Sequence, residues 1–139
     1  MLTAPKKTKY RKQQKGRRRG VAWRGSEISY GEYGLQTLDD AWLSARQIEA
    51  GRMAIQRKTA RQGHLYIRVF PDKPLSKKPL ETRMGKGKGN PEVWVAVVRP
   101  GRMIYELGGL PRELAEEALR LAATKLPVRC RFMDRSEQP

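Results

Sequence analysis

Glu27 is the first acidic residue of the chain, and ten cations precede it: Lys6, Lys7, Lys9, Arg11, Lys12, Lys15, Arg17, Arg18, Arg19 and Arg24. Apolar residues within 1–25 are few and follow neither a helical nor a strand period. Such a stretch buries too little surface to offset the entropy lost on ordering. It is expected to be a basic arm that orders on an anionic partner. The folded part is then residues 26–133, followed by a short tail, 134–139.

Charge bounds the partner as well. The 139 residues carry 30 Lys and Arg against 14 Asp and Glu, a net charge of +16. Self-repulsion of that size calls for a polyanion, either nucleic acid or an anionic membrane. No run approaches the roughly 18 apolar residues of a spanning helix, and no apolar run follows the basic N-terminus, so neither a membrane span nor a secretory signal is expected. Thr3 and Thr8 are the only Ser or Thr residues of 1–25, fewer than organellar transit peptides favour. Cys130 is the only cysteine. That excludes intrachain disulfides and thiolate-rich zinc sites and suits a reducing cytosol.

Past residue 26 the pattern is that of an α+β domain: a single mixed or antiparallel sheet covered by two helices. Strand-like pieces run over 27–33 and 35–38, broken at Gly31 and Gly34. Ser44 and Gln47 form a capping box that opens a helix to about Arg61, stopped by Gly63. Leu65, Ile67 and Val69 alternate with polar neighbours in a half-buried strand ending at Pro71. Val93 to Val98 and Met103 to Leu107 read as a hairpin about the turn at Pro100-Gly101. Pro111 opens a second helix that ends before Pro127, with Leu114, Ala118, Leu121 and Ala122 as its apolar face. Val128 to Phe132 returns as a last strand.

The first helix carries an informative pattern. At about 100° per residue, Ile48, Gly51 and Ile55 share one side, while Arg46, Arg57 and Arg61 fall on the other. A buried isoleucine stripe and an exposed arginine stripe follow, with Gly51 allowing close approach to the sheet. An ordinary solvated charged face explains the arginines equally well in isolation; beside a ten-cation arm, RNA contact is the better reading. Residues 71–91 hold four prolines, three glycines and six cations against two acids. They are expected to project as a basic loop, within which Lys77, Lys78, Arg83, Met84, Gly85, Lys86, Gly87, Lys88 and Gly89 can bring point charges and backbone amides to phosphate. The loop is not a nucleotide-binding P-loop, because no Ser or Thr follows a Gly-Lys pair and no helix comes next.

Tyr10 and Trp23 sit within the arm, where stacking on unpaired bases is open to them. Trp42, Tyr66, Trp94 and Tyr105 read as core or boundary residues. Chemistry is poorly supported. His64 reads as a half-exposed structural histidine, Asp39-Asp40 as turn or capping residues, and Glu113, Glu116 and Glu117 as partners of a helix dipole and of Arg120. No catalytic residue, metal site or cofactor is expected.

Several blocks, in order along nearly the whole chain, resemble the bacterial large-subunit ribosomal protein sixteen family, the universal uL-sixteen group. They are Pro5-Lys6-Lys7-Thr8-Lys9-Tyr10-Arg11-Lys12, Tyr33-Gly34-Leu35, Ala45-Arg46-Gln47-Ile48-Glu49-Ala50, Ile67-Arg68-Val69-Phe70-Pro71-Asp72-Lys73-Pro74, Arg83-Met84-Gly85-Lys86-Gly87-Lys88-Gly89, Trp94-Val95-Ala96-Val97, Pro100-Gly101 and Lys125-Leu126-Pro127. The helix stretch with Gly51, Gln56 and Lys58 and the ending Arg129-Cys130-Arg131 depart from the family's habit. The resemblance implies an α/β-hammerhead-type domain on 23S rRNA that helps position A-site tRNA near the peptidyl transferase centre. It also implies neighbouring large-subunit proteins as partners, no homo-oligomer, and a place in the cytoplasmic ribosome. Arg83 matches a loop arginine that is hydroxylated in some members. The expected rRNA contacts are the ten arm cations with Tyr10 and Trp23, together with Arg46, Arg57 and Arg61. The loop 77–89 is expected near tRNA. A nucleic-acid binder outside the ribosome shares the charge but not the ordered blocks. An enzyme acting on polyanions would need a role for His64 that its setting does not suggest.

Overall fold

The computed structural model describes residues 25–76 and 91–137. Among them the chain runs β1 (Tyr33–Thr37), β2 (Ala41–Ser44), α1 (Ala45–Thr59), β3 (His64–Ile67), β4 (Lys73–Ser76), β5 (Pro91–Val98), β6 (Met103–Gly108), α2 (Arg112–Ala123) and β7 (Cys130–Asp134). The α+β class is as expected, but there are two sheets instead of one. Both are antiparallel, with orders β3-β6-β1-β7 and β2-β5-β4. The helices pack on each other, α1 over β2 and β5, α2 over β1 and β7.

The expected hairpin is a correction. β5 and β6 belong to different sheets and do not pair. The turn at Pro100-Gly101 carries the chain from one sheet to the other, and its polar backbone is satisfied by β1: the Gly101 amide donates to Thr37 O (2.8 Å), and the Thr37 amide donates to Arg102 O (2.9 Å). The expected loop also starts later than residue 71, since Lys73–Ser76 pairs with β5 and Ser76 stands opposite Pro91. Pro74 hid this strand. A proline is tolerated here because β4 lies at a sheet edge, where one side of the backbone needs no partner. β1 likewise runs unbroken through Gly34, and the last strand is shifted to Cys130–Asp134.

Helix α1 begins as its capping box dictates: Ser44 Oγ accepts from the Gln47 amide (3.1 Å), and Gln47 Oε1 accepts from the Ser44 amide (2.9 Å). It stops earlier than Arg61, because Ala60 and Arg61 both take left-handed backbone (φ 53° and 62°) and turn the chain toward β3. Ile48, Gly51 and Ile55 are buried as expected. A Cβ on Gly51 would collide with the Tyr105 hydroxyl, which donates to Ile48 O (2.6 Å) and so fastens α1 to the middle of β6. In α2 the buried residues are Ala115, Ala118, Leu119 and Ala122. Leu114 is only partly buried and Leu121 is 45% exposed, so the buried face lies about one residue from the expected stripe.

Every residue of β6 is buried, which requires cover on both sides. The helices and the core residues Leu35, Leu43, Ile48 and Leu119 cover the Tyr105 face. Residues 25–31 cover the other, with Ile28 (3% exposed) inserted as an apolar plug. They are held by Glu106, whose side chain is fully buried. Glu106 Oε1 accepts from the amides of Ser29 (3.1 Å), Tyr30 (2.7 Å) and Gly31 (2.8 Å), and its Oε2 pairs with Arg68. Burial alone would raise this carboxyl's pKa. The bonds from Gly31, Arg68, Tyr30 and Ser29 outweigh it and hold the group below the usual carboxylate range.

A depressed folded pKa means that the ionised carboxylate stabilises the fold above its unfolded value, about 4.3, and that this contribution is lost as pH falls through the folded pKa. Glu106→Gln is therefore expected to lower the unfolding free energy at pH 7 by roughly 3 kcal/mol. In urea titrations the gap between wild type and variant should narrow as the solution is acidified.

Candidate nucleic-acid interface

Several cations on the described surface have acidic partners. Arg52 pairs with Glu49, Lys58 with Glu117 (3.0 Å), Arg120 with Glu116 (2.7 Å), Arg129 with Asp39 (2.8 Å), and Arg112 with both Asp134 and Glu137 (2.9 and 3.0 Å). The hydrogen bonds from Arg129 hold the Asp39 carboxyl down at about 2, so this pair stays charged through any physiological pH. These cations are largely neutralised at short range.

Seven exposed cations have no acidic partner among the described residues: Arg99, Lys125, Arg131 and Arg135 and, on or just beyond α1, the expected contacts Arg46, Arg57 and Arg61. Arg46 and Arg57 are eleven residues apart on α1, which places them within about 20° of each other and about 16 Å apart along the axis. Arg61 is a correction: it follows the helix cap in left-handed backbone and is no part of a helical stripe. The turn nevertheless returns it to Arg57, and the two line one surface recess together with Arg52, Met53, Gln56 and Ala60. Apart from Arg52, which is paired with Glu49, two arginines at a recess and a third some 16 Å from Arg57 along the axis suit several phosphates of one backbone, not a single anion.

The other expected contacts, from Lys6 to Arg24 and from Lys77 to Gly89, lie outside the described residues. The points where both segments join the domain are described. One is the Glu106-held stretch 25–31; the other is the register of Ser76 opposite Pro91. Arg68 anchors the first further, donating to Glu27 O (3.1 Å), while the Met103 amide donates to Gly25 O (2.7 Å). Gln36 Nε2 donates to Ser26 O (3.2 Å).

Two residues escaped the sequence reading. Glu106 was announced only by being an acid inside an apolar strand. Tyr30 is 64% exposed and stacked on Tyr66 with ring centroids 5.6 Å apart, and nothing in its local pattern marked it. Tyr66 is the boundary residue expected, Tyr105 is core, and Trp42 and Trp94 are half-buried.

Chemistry at a reactive centre finds no support among the described residues. His64 is exposed on an edge strand. Burial pushes the Cys130 thiol up to about 11, so it stays protonated and is a poor nucleophile. Among the described residues no group of His, Cys, Asp and Glu could hold a metal ion, and no helix is long and apolar enough to cross a membrane.

Comparison with known proteins gives the chain's relatives. The model of the family described as ribosomal protein L16p/L10e matches residues 5–133. The large ribosomal subunit protein uL16c of Adiantum capillus-veneris is 57% identical over 129 residues, which is 93% of this chain and 94% of the relative.

Each phosphate contact releases counterions, so losing one flattens the salt dependence of RNA binding. Arg57→Ala is expected to reduce the slope of log K against log salt by about 0.7–0.9, measured on purified large-subunit rRNA. Arg52→Ala, which removes a cation already paired with Glu49, should change the slope far less.

Proposed function

The chain belongs to the ribosomal protein L16p/L10e family, and from that premise we propose that it holds 23S rRNA through unpaired cations and helps position A-site tRNA near the peptidyl transferase centre. It is a structural protein of the large ribosomal subunit and not an enzyme. The single observation that carries the reading is the family match across residues 5–133, which takes in both basic segments together with the folded domain.

In this reading the domain is a scaffold, and any effect on the reaction comes from positioning RNA. Arg46, Arg57 and Arg61 hold the backbone of an rRNA helix. Contacts to phosphate and shape dominate there, since duplex RNA hides its base edges in a deep, narrow groove. The arm cations, from Lys6 to Arg24, neutralise further phosphates, with Tyr10 and Trp23 available to stack. Lys77, Lys78, Arg83, Lys86 and Lys88, interleaved with Gly85, Gly87 and Gly89, face the tRNA side. These two segments enter on composition and on the family's pattern. What supports them structurally is that the described residues next to them are held in place, residues 29–31 by Glu106 and Ser76 opposite Pro91 in the β4–β5 pair. The sequence-based expectation of a cytoplasmic ribosome belongs to the same proposal; a plastid ribosome is the other compartment that a uL16c relative allows, and subcellular fractionation separates the two.

Sucrose-gradient fractionation of cells carrying the tagged chain tests the ribosomal reading. Stoichiometric sedimentation with the large subunit is expected, and a predominant pool on free nucleic acid would contradict it. For the finer claim, particles reassembled with the Lys86→Ala/Lys88→Ala chain should retain wild-type stoichiometry but bind A-site tRNA several-fold more weakly. Unchanged tRNA binding would remove the loop from the account.

A further inference from the structure

We propose that Tyr30 is a preformed stacking platform for one unpaired nucleobase of the large-subunit rRNA. The inference rests on the ribosomal reading above and adds a contact outside the basic segments.

Tyr66 stands opposite Glu106 in the β3–β6 ladder, and the Arg68 amide continues that ladder by donating to Ile104 O (2.8 Å). Two residues apart on an extended strand, Tyr66 and Arg68 project from the same face. The Tyr30 ring meets both: it stacks on Tyr66 at 5.6 Å with 27° between the planes, and the Arg68 guanidinium carbon lies 5.1 Å from its centroid. With both contacts made, Tyr30 is still 64% exposed, so a large part of its ring is left to solvent.

An exposed tyrosine usually samples several rotamers and loses that freedom when it binds. Here the freedom is already restricted. The Tyr30 amide is fixed on Glu106 (2.7 Å), its neighbours Ser29 and Gly31 bond the same oxygen, and Arg68 is fixed by its pair with Glu106. A large, exposed and positionally restricted aromatic ring whose ordering cost falls on the protein fold is what a base needs in order to stack.

The surroundings decide the ligand class. Glu27 and Glu32 are exposed within the same segment, which disfavours a phosphate at the ring. Arg135 Nη1 approaches Gly31 O (3.4 Å) and supplies one cation at the margin. Ser29 and Glu32, on either side of Tyr30 and Gly31, are exposed and polar, so within its own segment the tyrosine is not flanked by exposed apolar side chains as it would be in an apolar docking patch. An uncharged base face, with its phosphates directed away from Glu27 and Glu32, fits this setting.

The test uses the full chain, purified large-subunit rRNA as probe, and a salt series. Tyr30→Ala is expected to weaken binding about tenfold at every salt concentration without changing the slope, because stacking releases no counterions. Tyr30→Trp should restore the affinity, whereas Tyr30→Leu, equally apolar but without a π-face, should not. Wild-type affinity in Tyr30→Ala, or full rescue by Leu, overturns the proposal. So does normal rRNA binding combined with poor incorporation into subunits, which would assign the ring to a protein neighbour. A wild-type chain that shows neither affinity for this rRNA nor a salt slope would instead refute the reading on which the inference rests. Unfolding curves of the three variants serve as the control, since an exposed ring can be replaced with little loss of stability.

Discussion

A carboxylate with no exposed surface, Glu106, decides how residues 25–31 close over the sheet. Burying an ion costs several kcal/mol unless its lone pairs are satisfied. Here three consecutive amides and one guanidinium satisfy them, and all come from segments distant in sequence. The second face of β6 is thereby closed by a strap that has little apolar surface of its own beyond Ile28. The same strap is the root of the basic arm and carries Tyr30. One ionic cluster thus completes the core and sets where the basic N-terminal segment joins it.

The same economy governs the surface. A chain with 30 cations and 14 acids cannot pair most of its positive charge internally. Its acids are spent at joints: Glu117 ties α2 to Lys58 of α1, Asp39 ties the β1–β2 turn to Arg129, and Asp134 ties β7 to the start of α2. Arg46, Arg57 and Arg61 are left on one side of α1 without such partners among the described residues. Local pairing thus separates cations that brace the domain from those whose charge is not compensated at short range.

Features written in short stretches of sequence were legible, and features depending on distant pairing were not. The Ser44–Gln47 capping box fixed the start of α1, and the spacing of Ile48, Gly51 and Ile55 fixed its buried face down to the reason for the glycine. The turn at Pro100-Gly101 was equally clear, but a turn does not say which strands it joins, and only the bonds of Gly101 and Arg102 to Thr37 show that it changes sheets. Pro74 concealed β4, since its tolerance depends on an edge position that is a property of the whole sheet. Arg61 was misplaced because two non-glycine residues in left-handed backbone end the helix early. Of the candidate interface, the arginines of α1 could be read from charge and periodicity. Tyr30 could not, because its importance comes from Glu106, Tyr66 and Arg68, which lie 36 to 76 residues away (66 − 30 and 106 − 30).

Amide hydrogen exchange at Ser29, Tyr30 and Gly31 in the isolated full-length chain tests the central claim most directly. If the buried carboxylate holds the strap before any RNA is present, these three amides should exchange as slowly as those of the β6 ladder, and all three should be released together when Glu106 is replaced by alanine. Exchange at the rate of an open chain in the unbound wild type would contradict the account, because the strap would then be fastened by RNA and not by the protein.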